Sequence, residues 1–228
     1  MTVQTKESQN QTQVESYLRD GGVCLGPWTS HIWRDDPRHL GFLLARYKFC
    51  AKMLTGRNTA LEVGCGDAFG LPVVLQTVNE VHGVDFEPLV IDDAQKRLDD
   101  ALLQRITLSV HDMTDGPVVG SFDAAYSLDV IEHIPTDSEP RFMDHLCQSL
   151  TQHSVCIIGT PNIEAHRFAS PLTAEGHINL KSADFSTNLP RYDISFTGGD
   201  GQLLSGLIES QSEYIEDLVL LGILNENK

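Results

Sequence analysis

Short apolar runs alternating with stretches of helical periodicity constrain this chain more than any other feature. The runs fall at residues 60–63, 81–84, 106–110, 124–127 and 155–158, and helical patterns lie between them, for example at 88–103 and 140–150. Such runs separated by helices of ten or more residues specify repeated β–α–β units and a mainly parallel sheet. Upstream, residues 35–54 carry Leu40, Leu43, Leu44, Tyr47, Cys50, Ala51 and Leu54 at helical spacing. Asp36 caps that expected helix, Pro37 opens it and Gly56 lies just past its end. The chain has 228 residues, enough for one sizeable core, and shows no internal repeat or low-complexity linker. The alternation therefore belongs to one α/β domain.

The segment Leu61-Glu62-Val63-Gly64-Cys65-Gly66-Asp67-Ala68-Phe69-Gly70 follows the first run. In an open α/β sheet, ligands bind beyond the carboxyl ends of the strands, near the point where the strand order reverses. Glycines at such a turn permit positive φ and let a ligand approach the backbone. A tight turn with no ligand is the plainer reading of a Gly-x-Gly taken alone. Acids at later strand ends add weight. Asp85 closes the second run about 20 residues on, where a carboxylate accepts both hydroxyls of a ribose. Asp112 follows the third run, placed to accept a hydrogen bond from an adenine amine, and Asp129 and Glu132 follow the fourth. One acid at a strand end is more often a helix cap than a ligand. Acids at successive strand ends, in this order, exceed what capping requires.

Taken in order, these residues resemble the small-molecule branch (types 11 and 12) of the class I S-adenosylmethionine (SAM)-dependent methyltransferases. Glu62, Gly64 and Gly66 match Glu-x-Gly-x-Gly, and Phe122, Asp123, Glu132 and His133 match Phe-Asp…Glu-His. Ile158-Gly-Thr-Pro-Asn162 is similar to the Thr-Pro-Asn that follows the fifth strand in many members. The likeness spans residues 46–184. It implies a Rossmann-like three-layer α/β sandwich, SAM as cofactor and an enzyme that transfers a methyl group. Under it Gly64 and Gly66 approach the amino-acid end of SAM, and Glu62 helps hold its amino group through the turn. Asp85 binds the ribose hydroxyls, Asp112 and Met113 contact adenine, and Cys65, Phe86 and Leu128 complete the cofactor-binding set. The family's frequent third glycine is here Ala68.

Methyl transfer to a hydroxyl requires alignment and a group to take the proton, commonly histidine. His133 after the fourth strand, His177 in Ala174-Glu-Gly-His-Ile-Asn179, and His31 between two tryptophans are the candidates. For each, a structural role is the competing reading, and His177 is preferred for its Gly-flanked loop. The family's amide- and adenine-methylating branch carries Asn-Pro-Pro-Tyr after the fourth strand, and this chain does not. A small-molecule oxygen acceptor is expected, a sugar or related metabolite by analogy with other Thr-Pro-Asn chains. Two alternatives stand: a non-catalytic SAM-binding homologue and a nicotinamide-dependent oxidoreductase. The latter expects Gly-x-Gly-x-x-Gly, but Phe69 occupies the third position.

Charge sharpens the partner expectations. With 32 acidic and 16 basic residues the net charge is −16, a field that repels nucleic acid. The basic cluster Arg34, Arg38, Arg46, Lys48 and Lys52 reads as a solvated helix face. No apolar run nears the roughly 20 residues of a membrane span, and residues 1–16 lack a secretory layout. Five widely spaced cysteines without Cys-x-x-Cys suggest reduced thiols in a cytoplasmic protein and no metal site. Residues 1–20 are expected to be a disordered lead-in, 21–184 the SAM-binding domain and 185–228 a divergent C-terminal segment of it. Cys24 to Trp33 reads as a loop whose tryptophans either pack over the core or wall a ligand pocket. In the C-terminal segment weak strands fall at 192–196 and 218–224, with one helix over 203–221 as the rival. A sheet lacking its final pair would leave an edge open to association.

Overall fold

The computed structural model describes residues 4–161, 163 and 171–181, together with the backbone of 218–224. A six-stranded sheet runs in the order β3-β2-β1-β4-β5-β6. Its strands are β1 (Thr59–Val63), β2 (Glu80–Asp85), β3 (Ile106–Val110), β4 (Phe122–Leu128), β5 (Leu150–Pro161) and β6 (Leu218–Leu224). The first five are mutually parallel, and β6 adds antiparallel to β5 from Val155↔Leu224 to Pro161↔Leu218. The strand order reverses at β1, between β2 and β4, which opens a crevice at the carboxyl edge there.

Helices cover both faces, as strands apolar on both sides require. Side chains alternate between two buried layers. Ala60, Tyr126 and Ile157 face one layer with Cys50, Leu54, Leu71 and Leu75. Leu61, Ala125, Cys156 and Ile158 face the other with Phe142, Met143 and Leu146. The first layer is built by α3 (Pro37–Met53), α4 (Leu71–Val74) and α5 (Pro88–Arg97), separated by the short α6 (Asp100–Leu103) from β3. The second is built by α7 (Glu139–Gln148). The result is the expected Rossmann-like three-layer sandwich.

Several expectations are corrected. Residues 11–20 form α1 (Gln11–Asp20), a helix with no buried residue, rather than an irregular lead-in. The Cys24–Trp33 segment is not all loop: α2 (Pro27–Asp35) occupies most of it, with Pro27 at its first turn. The single helix over 88–103 divides because Leu98 is extended and Asp99 caps α6 through Leu102 N–H. Arg46 leaves the solvated basic face, being buried and ion-paired with Asp129. Strand β6 excludes a helix running to residue 221, whereas the expected strand at 192–196 lies outside the described residues. Among the described residues no helix is long and apolar enough to cross a membrane.

Candidate active site

Strand β1 ends at Val63, and the chain turns through Gly64 (φ 77°) and Gly66 (φ 52°). The turn is pinned by Gly64 and Cys65 N–H donating to the Val84 carbonyl at 2.8 and 3.0 Å. A Cβ on Gly64 would stand 2.2 Å from Val130 Cγ2, and one on Gly66 would stand 3.2 Å from Trp28 Cδ1. Both positions favour glycine for backbone conformation, and Gly64 needs it for room as well. Ala68, where the resemblance expects a third glycine, also has positive φ, at 60°.

Asp85, buried at the end of β2, meets this turn. Its Oδ2 accepts from Gly66 N–H at 2.9 Å and its Oδ1 from Glu87 N–H at 2.9 Å. Each oxygen keeps lone-pair capacity beyond that one bond, so paired hydroxyls can still be accepted. Phe86, next in the chain, exposes most of its ring. Glycine turn, carboxylate and exposed aromatic converge at the strand-order reversal, and this set fits a nucleoside-bearing cofactor.

Glu62 lies beneath the turn. It is 1% exposed, and its two oxygens accept from Tyr47 Oη at 2.8 Å and Tyr126 Oη at 2.9 Å. Burial raises its carboxyl to about 8 against the two tyrosine hydrogen bonds, with Asp85 adding to the rise. The tyrosines are themselves held well above their usual range by burial and by Glu62. Tyr47 also seals the glycine loop, since a Cβ on Gly70 would overlap its ring at 2.0 Å. Neither tyrosine is singled out by the sequence for this role.

Helix α2 roofs the turn. Asp67, nearly fully buried, accepts from Thr29 N–H and Thr29 Oγ1, both at 2.8 Å, and so caps α2 from 38 residues away. A charge at a helix N-terminus is favourable both as hydrogen-bond acceptor and against the helix dipole. The Asp67 carbonyl and the Cys24 carbonyl both accept from Arg97, which ties the segment before α2 to α5. Trp28 stands against Gly66, and both Trp28 and Trp33 are exposed rather than packed into the core. His31 is exposed on α2, and its side chain makes no hydrogen bond or ring contact among the described residues.

The other two histidines come together. After β4, Asp129 takes positive φ (56°) and pairs with Arg46, and a 3-10 turn carries Ile131–His133. His133 and His177 pack edge to face with ring centroids 5.1 Å apart. His133 Nδ1 lies 2.8 Å from the Gly176 carbonyl, and Asn179 N–H donates to the Glu132 carbonyl at 2.9 Å. Asn179 Nδ2 donates to Glu139 at 2.6 Å, and Lys181 forms a buried ion pair with Glu139. These bonds fix the segment after α8 (Pro171–Gly176) over the end of β4. Glu132 is fully buried, with Oε2 accepting from Thr160 Oγ1 at 3.0 Å. Burial, with Asp129 adding, pushes its carboxyl up to about 8.

The remaining candidates are placed differently. Asp112 is exposed and its Oδ1 accepts from Thr114 N–H at 2.8 Å and Thr114 Oγ1 at 2.7 Å, capping its own turn. The side chains of Met113 and Leu128 are buried in the two core layers, and Cys65 is buried beside Gly83. Asp123, of the Phe-Asp pair, sits at the opposite edge and accepts from Asn58 and Thr59 N–H at 2.9 Å, holding the start of β1.

Residues 60–153 match the family described as Methyltransferase domain. The fold is similar to that of the N-methyltransferase NodS from Bradyrhizobium japonicum WM9 in complex with S-adenosyl-L-homocysteine (SAH). The identity is 15%, the TM-score is 0.59, and the likeness covers 97% of this chain and 100% of that one. It is also similar to the methyltransferase domain of bacterial CtHen1-C, at 21% identity and TM-score 0.61, covering 80% and 97%. No characterised protein sequence matches the chain at a significant level.

Proposed function

From a chain that carries a methyltransferase domain on the class I SAM-dependent fold, we propose a transferase that methylates a hydroxyl oxygen of a small molecule, sugar-like in character, with SAM as cofactor. The observation that carries the cofactor half is the Gly66 N–H bond to Asp85 at the strand-order reversal. Gly64 and Gly66 hold the turn against which the amino-acid end of the cofactor lies. Asp85 takes the ribose hydroxyls, Phe86 and Asp112 flank the adenine side, and Trp28 keeps water from the turn. Glu62 supports the turn from below rather than touching the ligand directly, because it is enclosed beneath the turn with its oxygens on Tyr47 and Tyr126. When bound, SAM supplies a methyl carbon on a sulfonium sulfur that keeps the bonding pair on leaving.

Acceptor activation falls to the His133–His177 pair. The acceptor oxygen gives its lone pair to the new C–O bond and releases its proton at this pair. If Nδ1 of His133 donates to the Gly176 carbonyl, Nε2 is the nitrogen with a lone pair to offer. His31 stands apart from the pair and is not given this role.

Calorimetry with SAH tests the reading. Wild-type protein binds SAH and not NAD, and Asp85→Ala weakens SAH by at least about tenfold, the loss of hydrogen bonds to a charged group. An unchanged affinity in a variant of wild-type melting temperature removes the assignment. Turnover of a labelled methyl group into extract metabolites then separates an enzyme from a homologue that only binds the cofactor.

A further inference from the structure

We propose that Glu132, His133 and His177 form a binding site for a divalent first-row transition-metal cation at the acceptor end of the crevice. This departs from the metal-free expectation drawn from cysteine spacing. It deepens the proposed function, and it rests on that reading only for what the cation does.

One carboxylate oxygen and one nitrogen from each imidazole lie within 4.8 Å of one another. Donors about 2.1 Å from a shared cation stand at most about 4.2 Å apart. The gap closes by small side-chain rotations, and His133 is exposed enough to make one. A second observation is independent of the clustering. Glu132 is fully buried, yet its Oε1 has no hydrogen-bond partner among the described residues, and neither does Asp129 Oδ1. Buried carboxylate oxygens without partners are costly. A cation on Glu132 would satisfy the orphaned acceptor.

The surroundings are those of metal-ligating histidine. A ligating imidazole typically donates its other ring N–H to a carbonyl or carboxylate, which fixes the tautomer and aims the lone pair. The Gly176 carbonyl stands 2.8 Å from His133 Nδ1 and fills that role, leaving Nε2 for the cation. Two nitrogens among three donors select the Mn²⁺–Co²⁺–Zn²⁺ group over Mg²⁺, which prefers oxygen. Three protein ligands leave coordination positions open, and an acceptor hydroxyl bound there loses its proton more readily. With the pair holding the cation, the bound hydroxyl ionises more readily and its proton passes to solvent water, the role that the pair itself takes when no cation is bound.

Titration of tag-free protein with Co²⁺, followed by its visible absorption bands, is the test. One equivalent is expected to bind the wild-type protein, Zn²⁺ to bleach the bands, and millimolar Mg²⁺ to leave them. His133→Ala and His177→Ala should abolish the bands, and Glu132→Gln should weaken Co²⁺ at least tenfold. SAH affinity measured on the same samples should stay within twofold of wild type. Should the buried Glu132→Gln variant not fold, His133→Ala, at an exposed position, decides alone. A wild-type titration indistinguishable from that of folded His133→Ala overturns the site. Failure of SAH to bind wild-type protein counts instead against the proposed function.

Discussion

At the residue scale, Glu62 carries a pH dependence that can be worked out in sign. Its carboxyl lies near 8 in the folded protein against an ordinary value of 4.5, chiefly through burial. Between those values the folded state binds more protons than the unfolded state, so this group makes stability fall as pH rises. Its contribution is fully present below about 4.5 and is lost by about 8. Glu62→Gln cannot titrate, so the denaturant midpoint of that variant should vary less between pH 5 and 8 than that of the wild type. Equal slopes in the two proteins would show that Glu62 is ionised throughout. The tyrosines that hold it explain why a glutamate is tolerated there, since two hydroxyl donors offset part of the desolvation cost.

At the element scale, α2 depends on one side chain outside itself. Asp67 supplies its cap, and Asp67→Ala removes two buried hydrogen bonds to Thr29, one of them from the backbone. The expected cost is roughly 1–3 kcal/mol, the range for leaving a buried hydrogen-bonding group without its partner. It should fall on α2 before the sheet, visible as faster hydrogen exchange at Thr29 with β1 amides still protected. Uniform exchange across both elements would refute a separately anchored helix. This anchoring also explains why α2 was not legible in the sequence. Gly26, Pro27 and two tryptophans read locally as a loop, while the interaction that stabilises the helix comes from residue 67. Strands were legible because each carries its own pattern: residues 106–110 coincide with β3, and the weak signal at 218–224 coincides with β6. At the site, the glycine turn and Asp85 follow from spacing along one β–α–β unit. The Glu62–Tyr126 and Arg46–Asp129 contacts join residues 64 and 83 positions apart, and nothing local announces them.

At the scale of the whole molecule, 32 acidic residues against 16 basic ones make self-repulsion a standing cost of compactness. Screening shortens the reach of that repulsion to about 10 Å at 0.1 M salt. The thermal midpoint should therefore rise between 20 and 300 mM NaCl, and a flat or falling midpoint would show that ion pairs outweigh the excess charge. The antiparallel β6 meanwhile covers the edge that β5 would otherwise present, over seven registered positions. Both tryptophans of the chain, Trp28 and Trp33, lie on α2, one of them against the glycine turn. Indole emission from this molecule therefore comes from one helix. The helix that roofs the turn is thus an intrinsic optical gauge: the Trp28 share of the emission should shift in colour or intensity when SAH is added, over a background from the exposed Trp33.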